Sequence, residues 1–200
     1  MLKATSIRTL GKAVPETGVM AAAALLFAAL TGIGAIIRIP LSPVPVTMQV
    51  LFVLLSGLVL GPVWGPASQA MYLIMGACGA PFFAAPPHAG PAVLFGPTGG
   101  YLWGFILASA AAGWIADRNG FKEDRSARRA LNLALACAAG IAAIYLAGAS
   151  WLGTWLGING KSPLLAYRLG IRPFILIDIL KAAMAAALAW TVPRRWFGLG

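Results

Sequence analysis

The chain has 200 residues, of which 60% are hydrophobic and only 10% charged, with a formal net charge of +10 and a mean hydropathy of +0.85. A soluble domain carries roughly 25% charged residues, so these figures exclude an ordinary soluble fold and predict an integral membrane protein with one membrane domain over residues 1–200; the apolar runs, taken in order below, make it all-α with six transmembrane helices. The Lys and Arg residues gather between apolar runs, as membrane topology demands; the basic balance is therefore read as orientation in a lipid bilayer, with no nucleic-acid partner. The two cysteines, Cys78 and Cys137, lie far apart in sequence, and no disulfide or metal framework follows from them.

Lys3, Arg8 and Lys12 precede a first apolar run that is too long for a signal-peptide core and ends in no clean A-x-A site. It is read as the first span, residues 17–37. Within it Ala24, Ala28 and Gly32 recur at a spacing of four, a pattern that lets another helix approach closely. This face is either an internal packing seam or a docking surface for a partner protein. Residues 38–47 follow, and Pro40, Pro43 and Pro45 keep them out of regular helix. The apolar stretches 48–60 and 63–77 are short, about 13 and 15 residues, and Gly61-Pro62 joins them in a tight turn.

Residues 78–100 form a loop rich in Pro and Gly, yet Phe82, Phe83, Val93, Leu94 and Phe95 make it too apolar for a solvated linker. It is expected to fold back onto the protein. The fourth span, 98–116, opens on T-G-G-Y-L-W-G-F; Thr98 suits the N-cap of that helix, and Tyr101 and Trp103 suit an interfacial aromatic belt. A charged segment, 117–129, leads to the fifth span, 131–152, whose far interface Trp151 and Trp155 mark. Ser162-Pro163 then reads as the N-cap and first residue of a short helix that Gly170 can close.

The sixth span, 172–191, carries Asp178 and Lys181 inside an apolar helix, with Pro193-Arg194-Arg195 beyond it. A charge within a span is by default a functional-site candidate. The i, i+3 spacing puts acid and base on one face, where they can neutralise each other and aim an acceptor and a donor in the same direction. The alternative is an ion pair that only pins the helix to its neighbours. Six spans put both termini on one side; the N-terminal segment, the 117–129 loop and the C-terminus carry ten Lys and Arg against four (Arg38, Lys161, Arg168, Arg172) in the other loops. The positive-inside rule makes both termini cytoplasmic. The three long ordered loops then face outward, and Asp178 lies about two turns below the outer end of its helix.

Three pieces of the chain resemble the BioY family, the biotin-binding S components of energy-coupling-factor vitamin transporters. They are P-V-P-V-T-M-Q at 43–49, Y-L-I-M-G-A-C-G-A-P-F-F-A at 72–84 with F-G-P-T-G-G-Y-L-W-G-F at 95–105, and P-F-I-L-I-D-I-L-K-A-A at 173–183. The resemblance implies a compact bundle of six transmembrane helices in the bacterial cytoplasmic membrane that binds biotin from outside, catalyses no reaction, and works with a transmembrane coupling subunit and ATPase subunits where these are present; no cofactor or metal is expected. It carries the family's last-helix acid and base onto Asp178 and Lys181. The family can also draw polar or basic groups from the third loop, where this chain offers His88 but neither Arg nor Asn between Ala84 and Pro91. A cyclic urea presents N–H donors beside a C=O acceptor, so Asp178 can accept from the one and Lys181 donate to the other. Phe82, Tyr101 and Trp103 are candidates to hold the apolar ring and chain. Gln49 and Thr47 either bind ligand or cap their short helix, and Thr98 either caps or binds.

Two rivals differ in class. Gly148-Ala149-Ser150-Trp151 has the form of an intramembrane serine protease site, which would need a histidine base, and His88 is the one histidine. The other is an S component for a different vitamin, since architecture alone does not choose a substrate. No G-x-x-x-x-G-K-[ST] loop occurs, so the chain is not expected to drive uptake with ATP itself; either partners supply the energy, or the protein works alone by facilitated uptake or trapping.

Overall fold

The structure, a computed structural model, describes residues 10–118 and 127–192, with side chains from residue 17 onward. Lys3, Arg8, the side chain of Lys12, most of the 117–129 segment and Pro193-Arg194-Arg195 lie outside the described residues. The elements in order are α1 (Leu10–Ile36), β1 (Arg38–Ile39), β2 (Val46–Thr47), α2 (Gln49–Ala77), α3 (Gly99–Arg118), α4 (Ala127–Ile158), α5 (Leu165–Gly170) and α6 (Ile175–Thr191), with a 3-10 turn at Pro91–Phe95. Four helical stretches are long and apolar enough to cross a membrane: Thr17–Ile36, Gln49–Ala77, Gly99–Arg118 and Ala127–Ile158.

The second of these is folded in two. Gly61 has φ 80° and ψ −173°, a conformation essentially restricted to glycine, and Pro62 behind it can start a helix but not continue one. Side chains on either side of this break meet: Gln69 Nε2 donates to Ser56 Oγ at 3.0 Å, and Gln49 Nε2 donates to Tyr72 Oη at 2.6 Å. Residues 23 apart in one straight helix would stand about 35 Å from each other, so α2 is a hairpin of two antiparallel arms, 49–60 and 62–77. Gly57 and Gly65 face each other across it, so close that a Cβ on Gly65 would lie 2.8 Å from Gly57 Cα.

A buried polar cluster ties the bundle together at this level. Ser56 and Ser109 hydroxyls lie 2.9 Å apart, Gln69 Nε2 also donates to Ser68 Oγ at 3.0 Å, and Thr31 Oγ1 donates to Phe27 O at 2.8 Å and approaches Gln69 Oε1 at 3.3 Å. It joins α1, both arms of α2 and α3. Such interhelical hydrogen bonds average about 0.6 kcal/mol in lipid, and their partners would otherwise be unsatisfied in an apolar interior.

The buried stripe of α1 runs through Met20, Ala24, Phe27, Ala28, Thr31 and Ala35, the i, i+3, i+4 spacing of one helix face. Ala24 and Ala28 are 0% exposed, and Gly32 is buried under the ring of Phe82. Of the two readings open for Ala24, Ala28 and Gly32, this burial fits the internal packing seam: small residues allow close approach, and the face is covered from within the chain, by α2 and, at Gly32, by the loop residue Phe82. The opposite face presents Leu25, Leu26, Ile33 and Ile36 outward. At the far end of the bundle Arg129, near the start of α4, lies over the Trp190 ring at 4.8 Å and donates to the Trp190 carbonyl at 3.1 Å, a cation on the C-terminal carbonyls of α6 as the helix dipole favours.

Candidate functional site

The same ends of several elements converge on one cavity. The β1–β2 hairpin contributes Val44, Pro45 and Thr47, α2 its first residue Gln49, the following loop Ala84, Ala85 and, just before α3, Thr98, α3 Tyr101, α4 Tyr145, and α6 Asp178 and Lys181. The space between atoms is about 560 Å³ with its open mouth included. Most of the wall is apolar, with a few polar groups among residues such as Val50, Phe105, Ile144 and Phe174.

Asp178 sits in the first turn of α6, one turn nearer the helix start than the sequence reading put it, because the helix begins at Ile175. There its charge lies near the positive end of the helix dipole, a favourable end for an acid. Lys181 Nζ donates to Asp178 Oδ1 at 2.7 Å, and both residues are 3% exposed. The other oxygen, Oδ2, accepts from the Tyr145 hydroxyl at 2.8 Å. The acid is thus held from its own helix and from α4. Lys181 has two further ammonium protons and lines the cavity, so the pair offers donors and lone pairs side by side.

Gln49 is fixed by a chain of bonds. Thr47 Oγ1 donates to Gln49 Oε1 at 3.0 Å, Gln49 Nε2 donates to Tyr72, and the Tyr72 hydroxyl donates to the Phe82 carbonyl at 3.2 Å. Thr47 Oγ1 also accepts from the Gln49 backbone N–H at 3.3 Å. Thr47 therefore supports the start of the helix, while both residues line the cavity. Tyr101 is buried, and its hydroxyl donates to Gly170 O at 2.8 Å, holding α5 against α3. Thr98 differs from its expected role: its Oγ1 is buried without a hydrogen-bond partner among the described residues, so it does not cap α3 by its side chain, and the residue lines the cavity.

Phe82 and Trp103 lie elsewhere. The Phe82 ring packs over Gly32 and is not part of the cavity wall; Trp103 is 44% exposed on the outer face of α3. Apolar aromatic contact falls to Phe105 and Phe174 instead. Trp151 does not end its helix at an interface, since α4 runs on to Ile158; its indole N–H donates to Gly96 O at 2.8 Å and pins the loop before α3. Ser162 makes no side-chain cap, and α5 starts at Leu165. Ser150 is exposed on α4, while His88 meets Arg38 and the Phe83 carbonyl, so the fold does not bring a serine and a histidine base together. Sequence reasoning missed Tyr145. The available signal was a tyrosine midway along a span, where interfacial placement cannot account for it.

The profile of the BioY family matches residues 8–197. A protein of Pyrococcus horikoshii named "Probable biotin transporter BioY" is 43% identical over 164 residues, 82% of this chain and 90% of the relative. The "Biotin transporter BioY" of Thermotoga maritima is 40% identical over 164 residues, 82% of this chain and 89% of that protein. In fold the chain is similar to the crystal structure of an S-component for biotin from an ECF-type ABC transporter, with a TM-score of 0.75 at 24% identity, covering 93% of this chain and 94% of that one. With a profile match over nearly its whole length and two relatives at 40% identity or more across four-fifths of it, this chain belongs to the BioY family.

Proposed function

We propose that this chain is a substrate-binding membrane subunit that captures biotin from outside and delivers it inward, with ATP hydrolysis supplied by coupling and ATPase subunits where they are present. It does so as one multi-pass domain of six spans, the two arms of α2 each counting as one, with both termini in the cytoplasm of the cell whose membrane holds it. The ten-to-four distribution of Lys and Arg supports that orientation.

The observation that carries the ligand reading is the neutral Asp178–Lys181 pair in an otherwise largely apolar cavity. A cyclic urea is the complementary group: its N–H donates to Asp178 while its C=O accepts from Lys181, so neither charge is left unpaired on binding. Gln49 and Thr98 supply further polar contacts, and Tyr101, Phe105 and Phe174 enclose the apolar part. The relatives' names as biotin transporters point to the same ligand. Equilibrium binding of labelled biotin to the purified protein in detergent tests this. Saturable binding that thiamine and riboflavin do not compete for is expected. Equal competition by either vitamin, or no saturable binding, defeats the assignment.

A further inference from the structure

The cavity balances its charge before any ligand enters. Asp178 and Lys181 neutralise each other, and the remaining lining residues carry no Asp, Glu, Lys, Arg or His. Biotin brings an additional carboxylate at the end of its chain, remote from the ureido ring. An anion taken into such a site without a cation is strongly disfavoured, so the carboxylate has to meet a cation or stay in water at the mouth.

Four cations stand on the loops at this end, Arg38, Lys161, Arg168 and Arg172, and their contacts separate them. All four are exposed, and Lys161, Arg168 and Arg172 make no side-chain hydrogen bond among the described residues. Arg38 joins two loops that each contribute residues to the cavity wall. It is paired directly with Thr47 across β1 and β2, and directly opposed residues of an antiparallel pair project from the same face; Thr47 lines the cavity. From there the guanidinium reaches His88, with Nη1 3.3 Å from Nδ1 and Nη2 3.5 Å from Nε2.

His88 is itself held firmly. Its φ is 69°, an uncommon conformation for a residue with a Cβ. Its backbone N–H donates to Ala85 O, its carbonyl accepts from Phe83 N, both at 2.9 Å, and Nδ1 lies 3.1 Å from Phe83 O. That last contact needs the proton on Nδ1, which leaves Nε2 as the acceptor facing Arg38. The guanidinium so meets a single weak acceptor and keeps most of its five donors. It is oriented by His88, whose backbone N–H is bonded to Ala85 of the cavity wall, without being consumed.

We propose that Arg38 receives the ligand's carboxylate, its guanidinium steered by His88 at the cavity mouth while the ureido ring sits inside at Asp178 and Lys181. This rests on the biotin reading above. It gives the charged end to the first outer loop and makes the contact between the two loops part of recognition. A planar fork suits a carboxylate better than a point charge does.

The test compares biotin with its neutral methyl ester in equilibrium binding to the purified wild type, Arg38→Gln and Arg38→Lys. The wild type is expected to prefer biotin about tenfold or more, the scale of a charge-assisted hydrogen bond. In Arg38→Gln biotin should fall to the affinity of the ester, with the ester unchanged; Arg38→Lys should keep part of the preference. Equal loss of both ligands in Arg38→Gln overturns the proposal in favour of a latch between loops, and an undiminished preference passes the carboxylate to another cation. A wild type that binds both ligands alike leaves the carboxylate in water and overturns it too. If Arg38→Gln does not fold, Arg38→Lys decides alone: a loss confined to biotin supports the assignment, and an equal loss overturns it. A wild type that binds neither ligand defeats the biotin reading itself, and this assignment with it.

Discussion

The Tyr145 hydroxyl donates to Oδ2 of Asp178 at 2.8 Å, the oxygen that Lys181 leaves open. One carboxylate is therefore oriented by two helices, α4 and α6, and its position depends on how they pack. Tyr145→Phe removes the donor at nearly constant volume. Hydrogen bonds to charged groups contribute roughly 1.5–3 kcal/mol, part of which water entering from the mouth can replace. We expect biotin affinity to fall about fivefold or more with the thermal midpoint in detergent little changed; unaltered affinity would show that Tyr145 does not set the acid's geometry.

The pair itself separates recognition from architecture by a double change. Asp178→Ala alone leaves Lys181 as a buried uncompensated charge, which costs about 3–5 kcal/mol of stability whatever the pair's role. Asp178→Asn with Lys181→Gln removes both charges together, and a purely structural pair should tolerate it. We expect a folded protein whose biotin affinity is lower by about tenfold or more, since neutral hydrogen bonds replace charge-assisted ones. Affinity near the wild-type value in that variant would rule out a ligand role for the pair.

Thr98 offers the opposite sign on stability. An unpartnered buried hydroxyl costs about 1–3 kcal/mol, and Thr98→Val removes it without changing shape. The ligand-free protein should become more stable, read as a higher midpoint, while biotin affinity drops about fivefold. A loss of stability would show that the hydroxyl is satisfied after all.

Ala28 tests the seam of α1. With no exposed surface, it cannot accept an indole without forcing α1 and α2 apart, and overpacking of this kind costs about 1–3 kcal/mol or more. Ala28→Trp is expected to lose biotin binding and partner-dependent uptake together. Loss of uptake with biotin affinity intact would return this face to a docking role.

Local signals were legible where one residue type enforces one geometry. Gly61-Pro62 could only break a helix, and an acid and base three apart on an apolar helix could only share a face. Signals that two structures satisfy equally stayed open. Ala24, Ala28 and Gly32 make a close approach possible from inside or outside, and nothing in their spacing names the neighbour. Thr98 before two glycines looks the same whether its hydroxyl caps a helix or faces a cavity, because the difference is one rotamer. Tyr145 and Asp178 lie 33 residues apart, and their meeting is set by helix packing alone. Phe82 looked like a ring for a ligand because an apolar loop must cover something; it covers Gly32.

The bonds through the Gln49 side chain all run in one direction. Tyr72 gives its proton to the Phe82 carbonyl, so it can only accept from Gln49, and the amide nitrogen must face it. Thr47 then gives its proton to the amide oxygen. A side-chain amide can ordinarily exchange its two ends by a half-turn, presenting a donor or an acceptor as its visitor requires. This one is locked, with a single spare N–H and a single spare lone pair in fixed places. The cavity wall is therefore polarised as well as shaped, and a molecule of the right outline with its donors and acceptors interchanged would find no half-turn to accommodate it.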